Sequence, residues 1–127
     1  MVKTITLPRI AVIEDENSIA EMYMFKLQHA GYLVEIANNG QRGLKLIKTF
    51  QPELILLDLK MPVMNGDEML ERLRSTNWGK DIKVIILTNI SKDEAPSNLR
   101  FLGVERYIVK AHHTPQQVID IIQEVLR

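Results

Sequence analysis

The sequence contains no cysteine. Disulfides, thiolate zinc sites and cysteine catalysis are therefore excluded, and the absence fits a reducing compartment. Net charge is missing too: 16 basic and 16 acidic side chains balance to zero. A nucleic-acid surface should show a basic excess or stripe, and this balance gives no support for one. No apolar run approaches the roughly 20 residues that a helix needs to span a bilayer. Residues 1–16 meet acidic side chains too early for a signal peptide. The expectation is a cytoplasmic protein without membrane insertion and without direct nucleic-acid binding.

What is present suits one ordinary globular unit. The chain has 127 residues, of which 46% are hydrophobic and 25% charged. That is enough apolar material for a core and too little length for two ordinary domains, so residues 1–127 read as a single domain.

Strand and helix patterns alternate along it. Strands are expected at 9–14, 33–37, 54–57, 83–88 and 106–109. The runs at 54–57 and 83–88 are continuously apolar, as strands covered on both faces must be. The first helix is expected over 17–30, with Asn17 as its cap, Gly31 as its stop, and Ile19, Met22, Tyr23, Lys26 and Ala30 on one side. A second helix covers 40–50 with Leu44 and Ile47 inward, slightly weakened by Gly40 and Gly43. A third covers 66–74 and presents Met69, Leu70 and Leu73. The segment 91–102 reads as a short helix. Its cap at Asp93 would leave Pro96 at the third helical position, where a missing N–H matters little. The last helix opens on Thr114, Pro115 and Gln117, a cap, a first-position proline and a capping-box partner. Val118, Ile122 and Val125 line its buried side, with Ile119 and Leu126 beside them. Five strands alternating with five helices imply an open, mostly parallel sheet covered on both faces.

Function in such a sheet belongs outside the carboxyl ends of its strands. Strand 1 delivers Glu14 and Asp15 there, strand 3 Asp58, strand 4 Thr88 and Asn89, and strand 5 Lys110. Carboxylates held close together repel and raise each other's pKa, and a bound hard cation removes that conflict. Oxygen donors without histidine or thiolate suit Mg²⁺, with Mn²⁺ as the alternative.

These residues resemble the receiver domains of bacterial two-component response regulators. The resemblance covers essentially the whole chain. It rests on the acidic pair Glu14–Asp15, the segment DLKMPVMNG at 58–66, Thr88, Tyr107 and Lys110, in order and at matching separations. It implies a doubly wound, flavodoxin-like (βα)5 sheet of order 2-1-3-4-5. It also implies transfer of a phosphoryl group to Asp58 from a phosphohistidine on a sensor histidine kinase or phosphotransfer protein. Asp58 is then the nucleophile. Glu14, Asp15, Asp58 and the Lys60 backbone carbonyl are the metal ligands, and Thr88 and Lys110 join Asp58 as the residues that manage phosphoryl charge. The phosphoryl group would draw Thr88 inward and let Tyr107 reorient. That remodels the surface of the fourth helix, fifth strand and fifth helix, which meets a downstream protein or a second copy. Such a chain catalyses its own phosphorylation and dephosphorylation without being a conventional turnover enzyme.

Each residue also has a plainer reading. Asp58 alone is a common kind of strand-end carboxylate, Glu14 or Asp15 can serve the first helix, and Tyr107 can be a half-buried strand aromatic. Pro62 and Gly66 shape the loop, the methionines at 61–69 fill space, and His112, His113 and Trp78 read as surface or local packing residues. Ala111 stands where the family has a proline in a cis bond, and a cis Lys110–Ala111 bond is expected so that the lysine still points inward. Asn89 replaces a very small residue, Glu14 the commoner aspartate, and Lys60 places a cation two residues after the acceptor. Three other readings remain. One is the receiver part of a DNA-binding regulator whose output domain is absent, and another is a phosphate-independent receiver. The third, a flavin protein, would need a glycine- and hydroxyl-rich first loop in place of the acidic EDENS.

Overall fold

The computed structural model describes residues 6–127. The expectation that the amino terminus is no leader concerns residues 1–5 as well, and lies partly outside that range. Strands run at Arg9–Ile13 (β1), Leu33–Ala37 (β2), Leu54–Leu57 (β3), Lys83–Thr88 (β4) and Val104–Val109 (β5). α-Helices run at Asn17–His29 (α1), Gly40–Phe50 (α2), Gly66–Arg74 (α3) and Pro115–Leu126 (α4). The strands pair in parallel in the order 2-1-3-4-5, which is the doubly wound, flavodoxin-like α/β sheet expected.

Alternation along the strands builds two cores. Ile10, Val12, Leu54, Leu56, Ile85 and Leu87 pack against Ala20, Tyr23 and Leu27 of α1 and Val118, Ile119 and Ile122 of α4. Ala11, Ile13, Ile55, Leu57, Val84 and Ile86 pack against Ile47 of α2 and Met69, Leu70 and Leu73 of α3. Burying one such Leu or Ile stabilises by about 1.5–3 kcal/mol relative to leaving it exposed. The central strands are thus clamped from both sides, which fixes where their carboxyl ends point. The last helix carries the expected cap: Thr114 accepts from the Gln117 amide, Gln117 answers to the Thr114 amide, and Pro115 occupies the first turn.

The fourth helix expected over 91–102 does not form. Two short 3₁₀ turns, Lys92–Glu94 and Ser97–Phe101, stand in its place. The break lies between them, where Ala95 (ψ 145°) and Pro96 (ψ 133°) are both extended. A proline disfavours the α region for the residue before it, so its missing N–H was the lesser obstacle. The described residues therefore hold four α-helices, not five.

Smaller corrections follow from local phase. Asn17 is the first helical residue and not the cap. Glu16 holds the cap position without a side-chain bond. The buried stripe of α1 is Ala20, Tyr23 and Leu27, with Ile19 and Met22 beside it. Lys26 is only half-buried and Ala30 is exposed, because the stripe takes Leu27 in preference to its charged neighbour. β1 ends at Ile13, one residue early, and β5 starts at Val104, two residues early. Gly31 ends α1 as expected, at φ 99°.

Candidate functional site

Strand register assembles the site. Ile13 pairs with Leu57, Leu57 with Ile86, and Thr88 with Val109. Glu14, Asp58 and Lys110 each follow directly on one of these paired residues, so acids and base leave the sheet at one edge. The Asp58 amide donates to the Ile13 carbonyl at 3.0 Å, and the Glu14 amide to the Ala37 carbonyl at 3.0 Å. The two buried carboxylates are therefore held by the sheet itself.

Glu14, Asp15 and Asp58 each offer a carboxylate oxygen, and these oxygens lie within 4.8 Å of one another. Glu14 is 4% exposed and Asp58 7% exposed, while Asp15 lies nearer solvent. Lys110 Nζ reaches into the group, 2.5 Å from Glu14 Oε1 and 3.3 Å from Asp58 Oδ2. Main-chain amides hold the other oxygens: Leu59 donates to Asp58 Oδ1 at 2.7 Å, and Glu16 to Glu14 Oε2 at 3.1 Å. So Glu14 serves the entry to α1 as well as the acidic cluster.

Burial dominates the electrostatics of Glu14. It pushes the carboxyl up to about 7, aided by the Asp58 charge and opposed by the Lys110 and Glu16 bonds. Burial also works against the Lys110 ammonium. The Glu14 hydrogen bond and the charges of Asp58 and Glu14 together outweigh it, and the net direction is upward. Near neutrality the group that titrates in this pair is therefore Glu14. Three acids against one ammonium leave an excess of negative charge, and the donors are all oxygen. The cluster thus fits a hard divalent cation.

The loop after Asp58 is tied down along its length. The Gly66 amide donates to the Leu59 carbonyl at 2.8 Å, the Met61 amide to Asn65 Oδ1 at 3.1 Å, and the Gly40 amide to the Met64 carbonyl at 3.0 Å. Gly40, expected to weaken its helix slightly, permits close approach: a Cβ there would stand 2.6 Å from the Met64 carbonyl oxygen. Met61 and Met64 of this loop and Met69 of α3 are buried in the second core, as expected of filler. Lys60 is exposed at its start.

The other expected residues surround this centre. The Thr88 side chain is buried, and its Oγ1 accepts from the Ile90 amide at 3.4 Å. Asn89 is exposed on the bend after β4. Tyr107 is half-buried and donates its hydroxyl to the Ile90 carbonyl at 2.8 Å, which ties β5 to the segment after Thr88. No cis peptide bond occurs among the described residues, so the cis Lys110–Ala111 bond expected from the sequence is corrected. A 3₁₀ turn at Lys110–His112 carries the chain away from β5, and Lys110 still reaches both carboxylates. His112 is exposed, and the metal-capable cluster contains neither it nor His113. Trp78 packs at the margin of the second core.

Sequence reasoning missed the fixing role of Asn39 and Asn65. Asn39 Oδ1 accepts from the Arg42 amide at 2.9 Å and caps α2, while Asn65 clamps the loop. The signal was available as two Asn-Gly pairs, 39–40 and 65–66, each at a helix start. The reach of Lys110 to Glu14 left no mark in the sequence.

Comparison with known proteins agrees with this geometry. A family model described as the response regulator receiver domain matches residues 10–123. The DNA-binding dual master transcriptional regulator RpaA of Synechocystis sp. is 34% identical over 104 residues, covering 82% of this chain and 43% of that protein. The transcriptional regulatory protein DltR of Streptococcus agalactiae is 38% identical over 102 residues, covering 80% of this chain and 45% of that protein. The chain thus spans under half the length of these curated relatives. The structure of the chemotaxis response regulator CheY4 of Vibrio cholerae matches with a TM-score of 0.85 and 28% identity, covering 94% of this chain and 99% of that one.

Proposed function

The chain belongs to the response regulator receiver family, and from that premise we propose that it is a phosphorylation-controlled signalling switch with Asp58 as its acceptor. Residues 1–127 are read as one receiver module. The observation that carries the reading is Lys110 Nζ standing between Glu14 and Asp58 inside a cluster of three carboxylates.

The chemistry is phosphoryl transfer from a phosphohistidine on a sensor histidine kinase or phosphotransfer protein. Asp58 Oδ2 attacks phosphorus, the P–N bond breaks, and its electron pair returns to the imidazole. The Leu59 amide fixes the other oxygen, so the carboxylate is aimed before the donor arrives. Lys110 offsets charge on the transferring group, and the Thr88 hydroxyl donates to a phosphoryl oxygen once the group is in place. Mg²⁺, or Mn²⁺, held by Glu14, Asp15, Asp58 and the Lys60 carbonyl would supply further positive charge to that group. Water later attacks phosphorus and releases inorganic phosphate, so the chain catalyses both halves of its own cycle.

The output follows from Tyr107. Its hydroxyl is bonded to the segment directly after Thr88, so a shift of Thr88 towards the phosphoryl group strains that bond. Release of Tyr107 alters β5, α4 and the turns at 92–101. That is the surface offered to a downstream protein or to a second copy on dimerisation. A second reading has specific support. The chain spans under half of relatives described as transcriptional regulators, so it also fits the receiver part of a longer DNA-binding regulator.

The deciding experiment is intact mass after incubation with a small acyl-phosphate donor, with and without Mg²⁺. Wild type is expected to gain one phosphoryl group only with metal, and Asp58→Asn to lose most of that gain. No mass change under any metal condition would overturn the reading in favour of a phosphate-independent receiver. Described helices long and apolar enough to cross a membrane are absent.

A further inference from the structure

Two Asn-Gly pairs open helices in this chain, and their asparagines are used differently. Asn39 holds the cap position of α2, and its Oδ1 accepts from the Arg42 amide at 2.9 Å, one turn forward. Asn65 holds the same position before α3 and makes no side-chain cap bond. Its Oδ1 turns back along the loop and accepts from the Met61 amide at 3.1 Å. A side-chain cap is worth about 1 kcal/mol to a helix. Asn65 forgoes that contribution to hold the loop.

The Met61 amide shares one rigid plane with the Lys60 carbonyl. No cis peptide bond occurs among the described residues, so this unit is trans and its C=O points away from its N–H. A bond that fixes the N–H therefore fixes the direction of the carbonyl. Little other freedom is left, because Met61 is buried and the proline after it favours extended backbone at Met61. The carbonyls of Leu59, Pro62 and Met64 in this loop each accept from a main-chain amide. Among the described residues no main-chain amide donates to the Lys60 carbonyl, so its lone pairs are open to a partner of another kind.

We propose that Asn65 is a positioning residue for the Lys60 carbonyl: through the Met61 amide it sets the direction in which that oxygen is offered to a divalent cation. The proposal rests on the reading above, in which the Lys60 carbonyl is a metal ligand beside Glu14, Asp15 and Asp58. A carboxylate can meet a cation by turning about its own side-chain bonds. A carbonyl oxygen moves only with its peptide plane, so its aim is set by what the N–H of that plane binds. Asn65 itself is exposed and outside both cores, so it can be substituted without opening a cavity.

Mn²⁺ binding to the full chain, followed by the loss of the free-ion EPR signal, tests this. Asn65→Ala should weaken binding on the order of tenfold, as loss of a group that orients a ligand does. Asn65→Ser separates positioning from helix stability. Serine caps well but is too short to reach back to Met61, so it supports α3 while it releases the carbonyl. It should match alanine in Mn²⁺ binding and exceed it in urea midpoint. Asn65→Asp keeps an acceptor oxygen and should bind at least as tightly as wild type. Hydrogen exchange at the Met61 amide, measured without metal, should quicken in the alanine and serine variants and stay slow with aspartate. Wild-type Mn²⁺ affinity in the folded serine variant would overturn the proposal, and so would equal weakening by aspartate. Tighter binding with aspartate while alanine and serine leave it unchanged marks charge alone, and overturns it too. If alanine fails to fold, the serine and aspartate arms decide. Intact mass with the acyl-phosphate donor reports the acceptor reading separately. Phosphorylation of wild type without the Asn65 effect sinks the positioning alone, and the Asn65 effect without phosphorylation sinks the acceptor reading alone. A wild type that binds no Mn²⁺ sinks the positioning and the metal reading together.

Discussion

Gly66 lies so close to Asp58 that a Cβ built on it would stand 2.1 Å from the Asp58 carbonyl oxygen. The same glycine opens α3, and its amide donates to the Leu59 carbonyl at 2.8 Å. The helix start and the loop after Asp58 are thus one packed unit. The neighbour is backbone, so no side chain can swing aside to admit a methyl group. Gly66→Ala is expected to cost roughly 1–3 kcal/mol or more by overpacking, and to remove most phosphorylation of Asp58. Urea unfolding and intact mass measure the two effects. A fully stable alanine variant that still gains the phosphoryl group would contradict the packing argument.

Val63, in the same loop, is 74% exposed and adopts φ 67°. A β-branched residue pays about 1–2 kcal/mol in the left-handed region, and glycine avoids that cost while losing some chain entropy. Val63→Gly should therefore stabilise the fold by roughly 0.5–1 kcal/mol, seen as a higher urea midpoint at unchanged slope. A lower midpoint would mean that the valine side chain makes contacts worth more than the strain.

Arg74 ties two loops at the far edge of the sheet. Its guanidinium donates to the carbonyls of Gly79, Lys80 and Ile82 before β4 and of Leu102 and Gly103 before β5. Lysine has the charge but not the planar fork that serves several acceptors at once. Arg74→Ala is expected to destabilise by about 2–3 kcal/mol, and Arg74→Lys to recover only a minor part. Thermal melts of the two variants decide this. Full recovery by lysine would show that charge alone matters there.

The sequence displayed what depends on local pattern. The apolar runs at β3 and β4, the Thr114–Pro115–Gln117 start and the convergence of Glu14, Asp58, Thr88 and Lys110 on one edge all follow from periodicity and strand order. The errors came from residues whose conformation a neighbour decides. Pro96 acts on Ala95, so a segment with helical apolar spacing becomes two 3₁₀ turns. Ala111 permits a trans bond, and the turn at Lys110–His112 takes over the positioning expected of a cis one. The bias of Lys110 toward Glu14 depends on side-chain reach across two strands, which no spacing along the chain encodes.

Glu14 makes stability depend on pH. Its carboxyl is raised to about 7 in the fold, chiefly by burial, from an ordinary 4.5. Between those values the folded protein holds a proton that the unfolded chain has released. The contribution of this group to stability is therefore fully present below about 4.5 and is lost as pH rises through about 7. One pKa unit corresponds to about 1.4 kcal/mol, so the loss is on the order of a few kcal/mol. Glu14→Gln should flatten this slope in urea melts across the window. Saturating Mg²⁺ should flatten it too, because a cation favours the charged carboxylate. A slope unchanged by both treatments would assign the dependence to other groups.

On the acceptor reading, Asn89 is expected to affect the lifetime of the phosphorylated protein. It is exposed on the bend directly after the buried Thr88, whose hydroxyl is proposed above to donate to a phosphoryl oxygen. In the receiver pattern a very small residue stands here, and on the acceptor reading an amide side chain at this place is expected to crowd the approach of water to phosphorus. Hydrolysis would need that water in line with the bond to Asp58, so bulk beside the site is expected to slow decay without touching the proposed acceptor. Asn89→Ala is expected to gain the phosphoryl group as fully as wild type and to lose it several-fold faster, followed by intact mass after the donor is removed. An unchanged decay rate would place the side chain outside the path of the attacking water and leave Lys60, exposed at the start of the acceptor loop, as the next residue to substitute.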